Sequence, residues 1–331
     1  MAMMALTPRG SAQAGLALRA SHKWRNRAHT LLLAGGSVLL LAACAYVFAG
    51  WPGIVWAAAL GASSLWMSAR LSPDLVLRMF KARPMAEDEF PHGYRILRHL
   101  AARADLSAVP DLYYVPSKLM NAFAVGRRDN AAIAVTDALM RGLTPRQFAG
   151  VLAHEMSHIR NEDLKVMALA DMVSRMTATM STIGLVLLAF NLPALIAGGA
   201  TVPWAGIGLL WAAPTIGALL QLALSRAREY DADLDAAALT GDPAGLASAL
   251  RKLEKSQGRQ WEMVLPGGRV PQPSVLRSHP KTSERVRRLE ALAGAGDVAG
   301  EFGGDGAVHP HGPVPIIPGP RYRLPGSGLW Y

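Results

Sequence analysis

Two stretches without a single Asp, Glu, Lys or Arg constrain this chain more than anything else in it: residues 28–69 and residues 176–225. Each is long enough for two bilayer passes of about 20 residues with a turn between them. In the first, the turn signal is "GWPG", Gly50 to Gly53; in the second it lies within "NLPALIAGGATVP". Four candidate transmembrane helices in two hairpins are therefore expected. Pro193, Pro203 and Pro214 interrupt the second pair, so a buried or interfacial hairpin stays open there beside full spanning. Composition agrees with membrane spans. Residues are 51% hydrophobic and only 18% charged, with a mean hydropathy of +0.20, whereas soluble proteins carry about 25% charged residues.

A net charge of +10 suits either a nucleic-acid binder or a protein lying against anionic lipid. The positions of the charges decide between them. Arg9, Arg19, Lys23, Arg25 and Arg27 precede the first hairpin, and Arg70, Arg78, Lys81 and Arg83 follow it. Lys165 and Arg175 lie before the second, Arg226 and Arg228 after it, and both outer turns are uncharged. Lys and Arg are retained on the cytoplasmic side. The N-terminus, both polar regions and the C-terminus are therefore expected there, in a multi-pass protein of the cell's inner (plasma) membrane. The basic excess then faces the lipid bilayer, and no nucleic-acid motif competes with that reading. The first 27 residues, acid-free and arginine-bearing, also fit an organellar transit peptide. The single cysteine, Cys44, excludes an intramolecular disulfide and a cysteine-based zinc cluster; within its apolar run it acts as a small hydrophobe.

Six segments follow: a basic tail at 1–27, a transmembrane hairpin at 28–69, a polar half-domain at 70–175, a second hairpin at 176–225, the other half-domain at 226–295, and a flexible Gly/Pro-rich tail at 296–331. His309 and His311 fall in that tail. "PHGYRILRHLAARADL" carries apolar residues at helical spacing, which puts His92 and His99 on a helix surface. The runs "DLYYV", "NAFAVG" and "AAIAVT" predict a small antiparallel β meander. Thr144 with Gln147 three residues on makes a capping box, Pro145 sits at the first helical position, and a helix from about Pro145 to beyond Lys165 is expected. The fold class is thus a mainly α membrane protein with an α+β cytoplasmic domain.

That last helix contains "VLAHEMSHIRNEDLK". His154 and His158, four apart, fall on one face, where two imidazoles can reach one ion, while Glu155 is offset toward a water held there. Zinc with three protein ligands and an open position lowers the pKa of water to about 7, and Glu155 would accept its proton. Average residue usage expects such a match by chance about once in a hundred chains of this length. Glu162 is the local candidate for the third ligand, but on a continuous helix it lies about 12 Å along the axis from His154, too far for one tetrahedral ion. A ligand from another segment is needed. "SRAREYDADLDAAAL" places Glu229 and Asp233 four apart on one face, where the Glu can ligate and the Asp can orient a ligand imidazole. Alone, the segment reads equally well as a solvated acidic helix start.

Together, "NAFAVG", "AIAVTDAL", "LAHEMSHIRNED", "SRAREYDAD" and "SHPKTSERVRRLEAL", in this order around two hydrophobic hairpins, resemble the HtpX-like membrane zinc metalloproteases, relatives of the CaaX prenyl endopeptidases. The resemblance covers residues 28 to 293 and implies a gluzincin-type protease domain with one zinc ion per chain. It implies that His154, His158 and Glu229 are the ligands, Glu155 the catalytic base and Asp233 the partner of a histidine ligand. Asn121 would lie by an edge strand that binds extended substrate backbone. His279, with Pro280 and Arg285 after it, would match an element that stabilises the oxyanion; without the resemblance His279 is a loop histidine. The implied activity is endoproteolysis of misfolded or surplus membrane proteins, or of unfolded polypeptides, in quality control and stress response. Four spans rather than seven favour the HtpX-like branch. A CaaX-type processing enzyme, a mitochondrial inner-membrane quality-control protease and a non-catalytic membrane scaffold are the alternatives.

Overall fold

The computed structural model describes residues 8–70, 73–197, 204–264 and 282–294. In chain order the elements are α1 (Pro8–Arg70), α2 (Pro73–Met79), β1 (Arg83–Pro84), α3 (Pro91–Arg103), β2 (Asp111–Val115), β3 (Ala122–Arg127), β4 (Asn130–Thr136), α4 (Asp137–Gly142), α5 (Pro145–Arg160), α6 (Asp163–Ile196), α7 (Trp204–Thr240), α8 (Pro243–Val264) and α9 (Thr282–Gly294). They form two units. One holds the described residues of 8–70 and 163–231; the other holds 73–162, 232–264 and 282–294.

In the first unit α1 is interrupted at Ala49 (φ −148°, ψ 21°) and Gly50 (φ 62°, ψ −149°). The Gly50 conformation is one that side chains bearing a Cβ essentially never adopt. Pro52 falls in the first turn of the helix that resumes, where its missing N–H leaves no bond unmade. A Cβ added at Gly53 would lie 2.2 Å from the carbonyl oxygen of Ala45, although a continuous helix would hold these residues about 12 Å apart. The chain therefore doubles back at the "GWPG" stretch, and Tyr46 meets Trp51 edge to face across the bend. α6 runs through Pro193 and α7 through Pro214, so neither proline ends its helix; Pro203 lies outside the described residues. Ser181 Oγ donates to the Leu210 carbonyl at 2.5 Å, tying α6 to α7, and Cys44, Leu210 and Ala213 form a small buried cluster.

Three helical stretches, Thr30–Met67, Asp163–Phe190 and Trp204–Thr240, are long and apolar enough to cross a membrane by length and composition. The first contains the bend. Leu31, Leu39, Trp51, Trp56, Phe190 and Trp211 on these helices are exposed, as side chains that face lipid are.

The second unit is built on a four-stranded sheet of order β1-β2-β4-β3. β3 and β4 pair antiparallel with Arg127 opposite Asn130, but β4 pairs parallel with β2, Asp111 opposite Ala132. The expected antiparallel meander is thus corrected to a mixed sheet in which β4, not β3, neighbours β2. The reason lies in β4 itself. All but its first residue are buried, and "AAIAV" is a continuous apolar run of the kind that occupies a sheet centre covered on both faces, rather than an alternating strand. Leu77 of α2 packs on one face with Val115, Val125, Ala132 and Ala134. The other face belongs to a larger core with Leu97 and Leu100 of α3, Leu152 and Met156 of α5, Leu246 of α8 and Leu289 of α9. α5 is anchored at its start by the expected capping box: Thr144 Oγ1 accepts from the Gln147 N–H at 3.3 Å, and Gln147 Oε1 accepts from the Thr144 N–H at 3.1 Å.

The helix does not run on past Lys165. α5 ends at Arg160, Asn161 caps it, and Glu162 takes φ 54° before α6 starts at Asp163. Apolar periodicity continues across this corner in the sequence, which conceals the break.

Candidate metal centre

α5 sits beneath the sheet with the face bearing His154 turned toward the core; His154 is buried and His158 half-buried. Their Nε2 atoms lie 3.3 Å apart. That is close to the ligand–ligand edge of about 3.4 Å that a tetrahedral ion with bonds near 2.0–2.1 Å requires. On α7, Glu229 and Asp233 are both buried, one turn apart. Two imidazole nitrogens at the spacing of His154 and His158 fit two corners of a metal ion's coordination shell. Glu162 lies in the corner after α5. The continuous helix that would hold it about 12 Å from His154 ends at Arg160.

Asp233 Oδ1 lies 3.1 Å from His154 Nδ1. With Nδ1–H donating to that carboxylate, the lone pair of Nε2 points the other way, toward His158. Arg285 of α9 closes on the same carboxylate from behind, its Nε donating at 2.7 Å and its Nη2 at 2.6 Å. These hydrogen bonds offset the cost of burying the carboxylate charge. Arg285 Nη2 also lies 3.4 Å from His154 Nε2.

Glu155 projects toward the sheet, where its Oε2 accepts the backbone N–H of Ala124 at 3.1 Å. β3 is an edge strand. In its pairing with β4, residues 121, 123, 125 and 127 exchange hydrogen bonds across the ladder, so Ala122, Ala124 and Gly126 direct their backbone groups outward. Asn121 immediately precedes β3 with an exposed side chain. Its backbone is fixed by Thr136, whose Oγ1 accepts the Asn121 N–H and whose N–H donates to the Asn121 carbonyl, at 3.0 and 3.1 Å. His279 lies outside the described residues, as does the tail that carries His309 and His311.

A second polar cluster escaped the sequence reading. Asp235 accepts from Asn161 Nδ2 at 2.8 Å and from Ser157 Oγ at 3.3 Å. Arg228 is buried with Asp163, its Nε donating at 2.7 Å, and it also reaches Asp231 at 3.1 Å. Only the four-residue spacing of Ser157 and Asn161 hinted at this; their partners lie more than 60 residues away.

The model of Peptidase family M48 matches residues 89–293. A protease HtpX homolog of Kineococcus radiotolerans is 36% identical over 304 residues, covering 82% of this chain and 99% of the relative. A second, of Burkholderia ambifaria, is 33% identical over 293 residues, covering 82% of this chain and 98% of the relative. Among solved structures, Ste24p of S. mikatae aligns over 81% of this chain and 66% of its own, with 20% identity and a TM-score of 0.45.

Proposed function

The chain belongs to peptidase family M48 and is a membrane metalloendopeptidase, and from that premise we propose that His154, His158 and Glu229 hold one zinc ion per chain while Glu155 acts as its general base. The observation that carries this reading is the 3.3 Å approach of the two Nε2 atoms on α5, with Glu155 between them in the chain aimed by the Ala124 N–H. A zinc ion bound by these residues would supply Lewis acidity and a water of near-neutral pKa. Asp233 keeps the hydrogen of His154 on Nδ1 and fixes the ring. Glu155, aimed by the Ala124 N–H, takes the proton of the attacking water and delivers it to the leaving amine.

The outward backbone groups of β3 add an extended peptide as a further strand, which brings its scissile bond beside Glu155; Asn121 stands at the entrance to that edge. Arg285, anchored on Asp233, and His279 contribute positive charge or hydrogen bonds to the oxyanion. An extended, strand-like substrate implies cleavage within unfolded segments, as in misfolded or surplus membrane proteins.

The reversal at Gly50 supports two passes within residues 28–69. With α6 and α7 this makes four spans, and the Lys and Arg flanks put the catalytic part on the cytoplasmic side of the inner membrane. Metal analysis of purified full-length protein tests the centre: about one zinc per chain is expected, falling below a tenth in His158→Ala and Glu229→Ala. Full zinc content in Glu229→Ala would remove that residue from the ligand set.

A further inference from the structure

An extended peptide lying against the free edge of β3 has two faces, because its side chains alternate above and below the sheet. Those on the α5 face meet the side of β3 that carries Ala122 and Ala124, which pack with α5 in the larger core. Those on the opposite face meet the side of Phe123 and Val125, which pack with Val76 and Leu77 of α2. Phe80, just past the end of α2, belongs to this second face: its ring lies 4.8 Å from that of Phe123, tilted by 50°. Phe123 is half-buried, whereas Phe80 keeps 53% and the neighbouring Met79 75% of its surface exposed. α2, Phe80, the sheet and α5 all lie in one unit. An aromatic pair beside a sheet edge is thus left partly uncovered. A hydrocarbon surface would cover the rings but leave the outward backbone groups of Ala122 and Gly126 without partners, at a cost of several kcal/mol each; an added peptide strand satisfies both. A residue opposite Phe123 has its Cβ about 5 Å away on the same face, so a large side chain there covers the aromatic pair.

We propose that Phe80, together with Phe123, forms a subsite for one large apolar side chain of the substrate, aromatic or long aliphatic, on the α2 face of the sheet. The proposal deepens the reading of β3 as the substrate-binding edge and rests on it. Glu155 is fixed to Ala124, the residue after Phe123, so the selected side chain falls within about two residues of the cleaved bond. Backbone hydrogen bonds along β3 accept any sequence; the aromatic pair adds the preference.

The test uses full-length protein in detergent with unfolded casein as the probe, the cuts being located by mass spectrometry and Glu155→Gln serving as the blank. Wild type is expected to show Phe, Tyr, Leu or Met enriched at one fixed position from the cut. Two peptides copied from a preferred site, with Phe or Ala at that position, should differ in kcat/KM by about 10-fold or more, and Phe80→Ala should remove most of that ratio. Phe80→Glu, at an exposed position, should turn the preference at the same position toward Lys and Arg, a change that a merely structural role would not produce. Should Phe80→Glu fold poorly, Phe80→Leu reads the same subsite by favouring aliphatic over aromatic residues. No positional preference in wild type, or an unchanged ratio in Phe80→Ala, would overturn the subsite while leaving the metal site and the β3 edge standing. Equal losses on both peptides, the result expected of a ring seated on lipid, would overturn it too. No cutting by wild type, or equal cutting by Glu155→Gln, would overturn the reading of the site itself.

Discussion

Asp233 holds two partners at once, the imidazole of His154 and the fork of Arg285, all three in one unit of the chain. Arg285→Ala leaves that carboxylate buried without its strongest donor, which costs about 3–5 kcal/mol of stability. Arg285→Lys recovers little, because an ammonium cannot reproduce two parallel bonds to one carboxylate. Thermal unfolding of the metal-free variants in detergent checks this; a loss under about 1 kcal/mol for Arg285→Ala would mean the pair is no more than a surface ion pair. At this scale the sequence was readable wherever spacing on one helix carries the information: His154 with His158, and Glu229 with Asp233. It was opaque for Arg228 with Asp163 and for Asp235 with Asn161, since such pairs meet only after the chain has folded and leave no local period.

Elements were legible where capping and periodicity agree. Thr144, Gln147 and Pro145 announced the start of α5 correctly, because a capping box is a wholly local structure. The end of α5 was not announced: Glu162 adopts φ 54° without a glycine to signal it. β4 was misassigned for a related reason. A continuous apolar run states that both faces are buried, not which neighbour the strand will choose, and the parallel pairing with β2 is a long-range outcome. In the bend of α1 the local signal was sufficient. Gly53 sits where a side chain would strike the Ala45 carbonyl, so Gly53→Val is expected to lower stability by about 1–3 kcal/mol, read as a lower melting temperature. The neighbouring Ala49→Val, at a position with negative φ, should cost less. Equal effects would indicate that the backbone does not double back as tightly as the Gly53–Ala45 approach requires.

For the whole molecule, the proposed four passes with an inward catalytic part make a topological prediction. In a Cys44→Ala background, an impermeant maleimide added to intact cells should label a cysteine at Trp51, in the first outer turn, and should reach one at Asp88 only after the membrane is opened. The reverse pattern would invert the orientation, and equal labelling would remove the first hairpin. The central claim, that Glu155 is the base of a zinc peptidase rather than part of a scaffold, is tested most directly by Glu155→Gln. Glutamine keeps an oxygen for the Ala124 N–H, so fold and zinc content should equal wild type. Cleavage of an unfolded membrane-protein substrate by the reconstituted full-length variant should fall by about 10²-fold or more. Near-wild-type cleavage with zinc still bound would contradict the account.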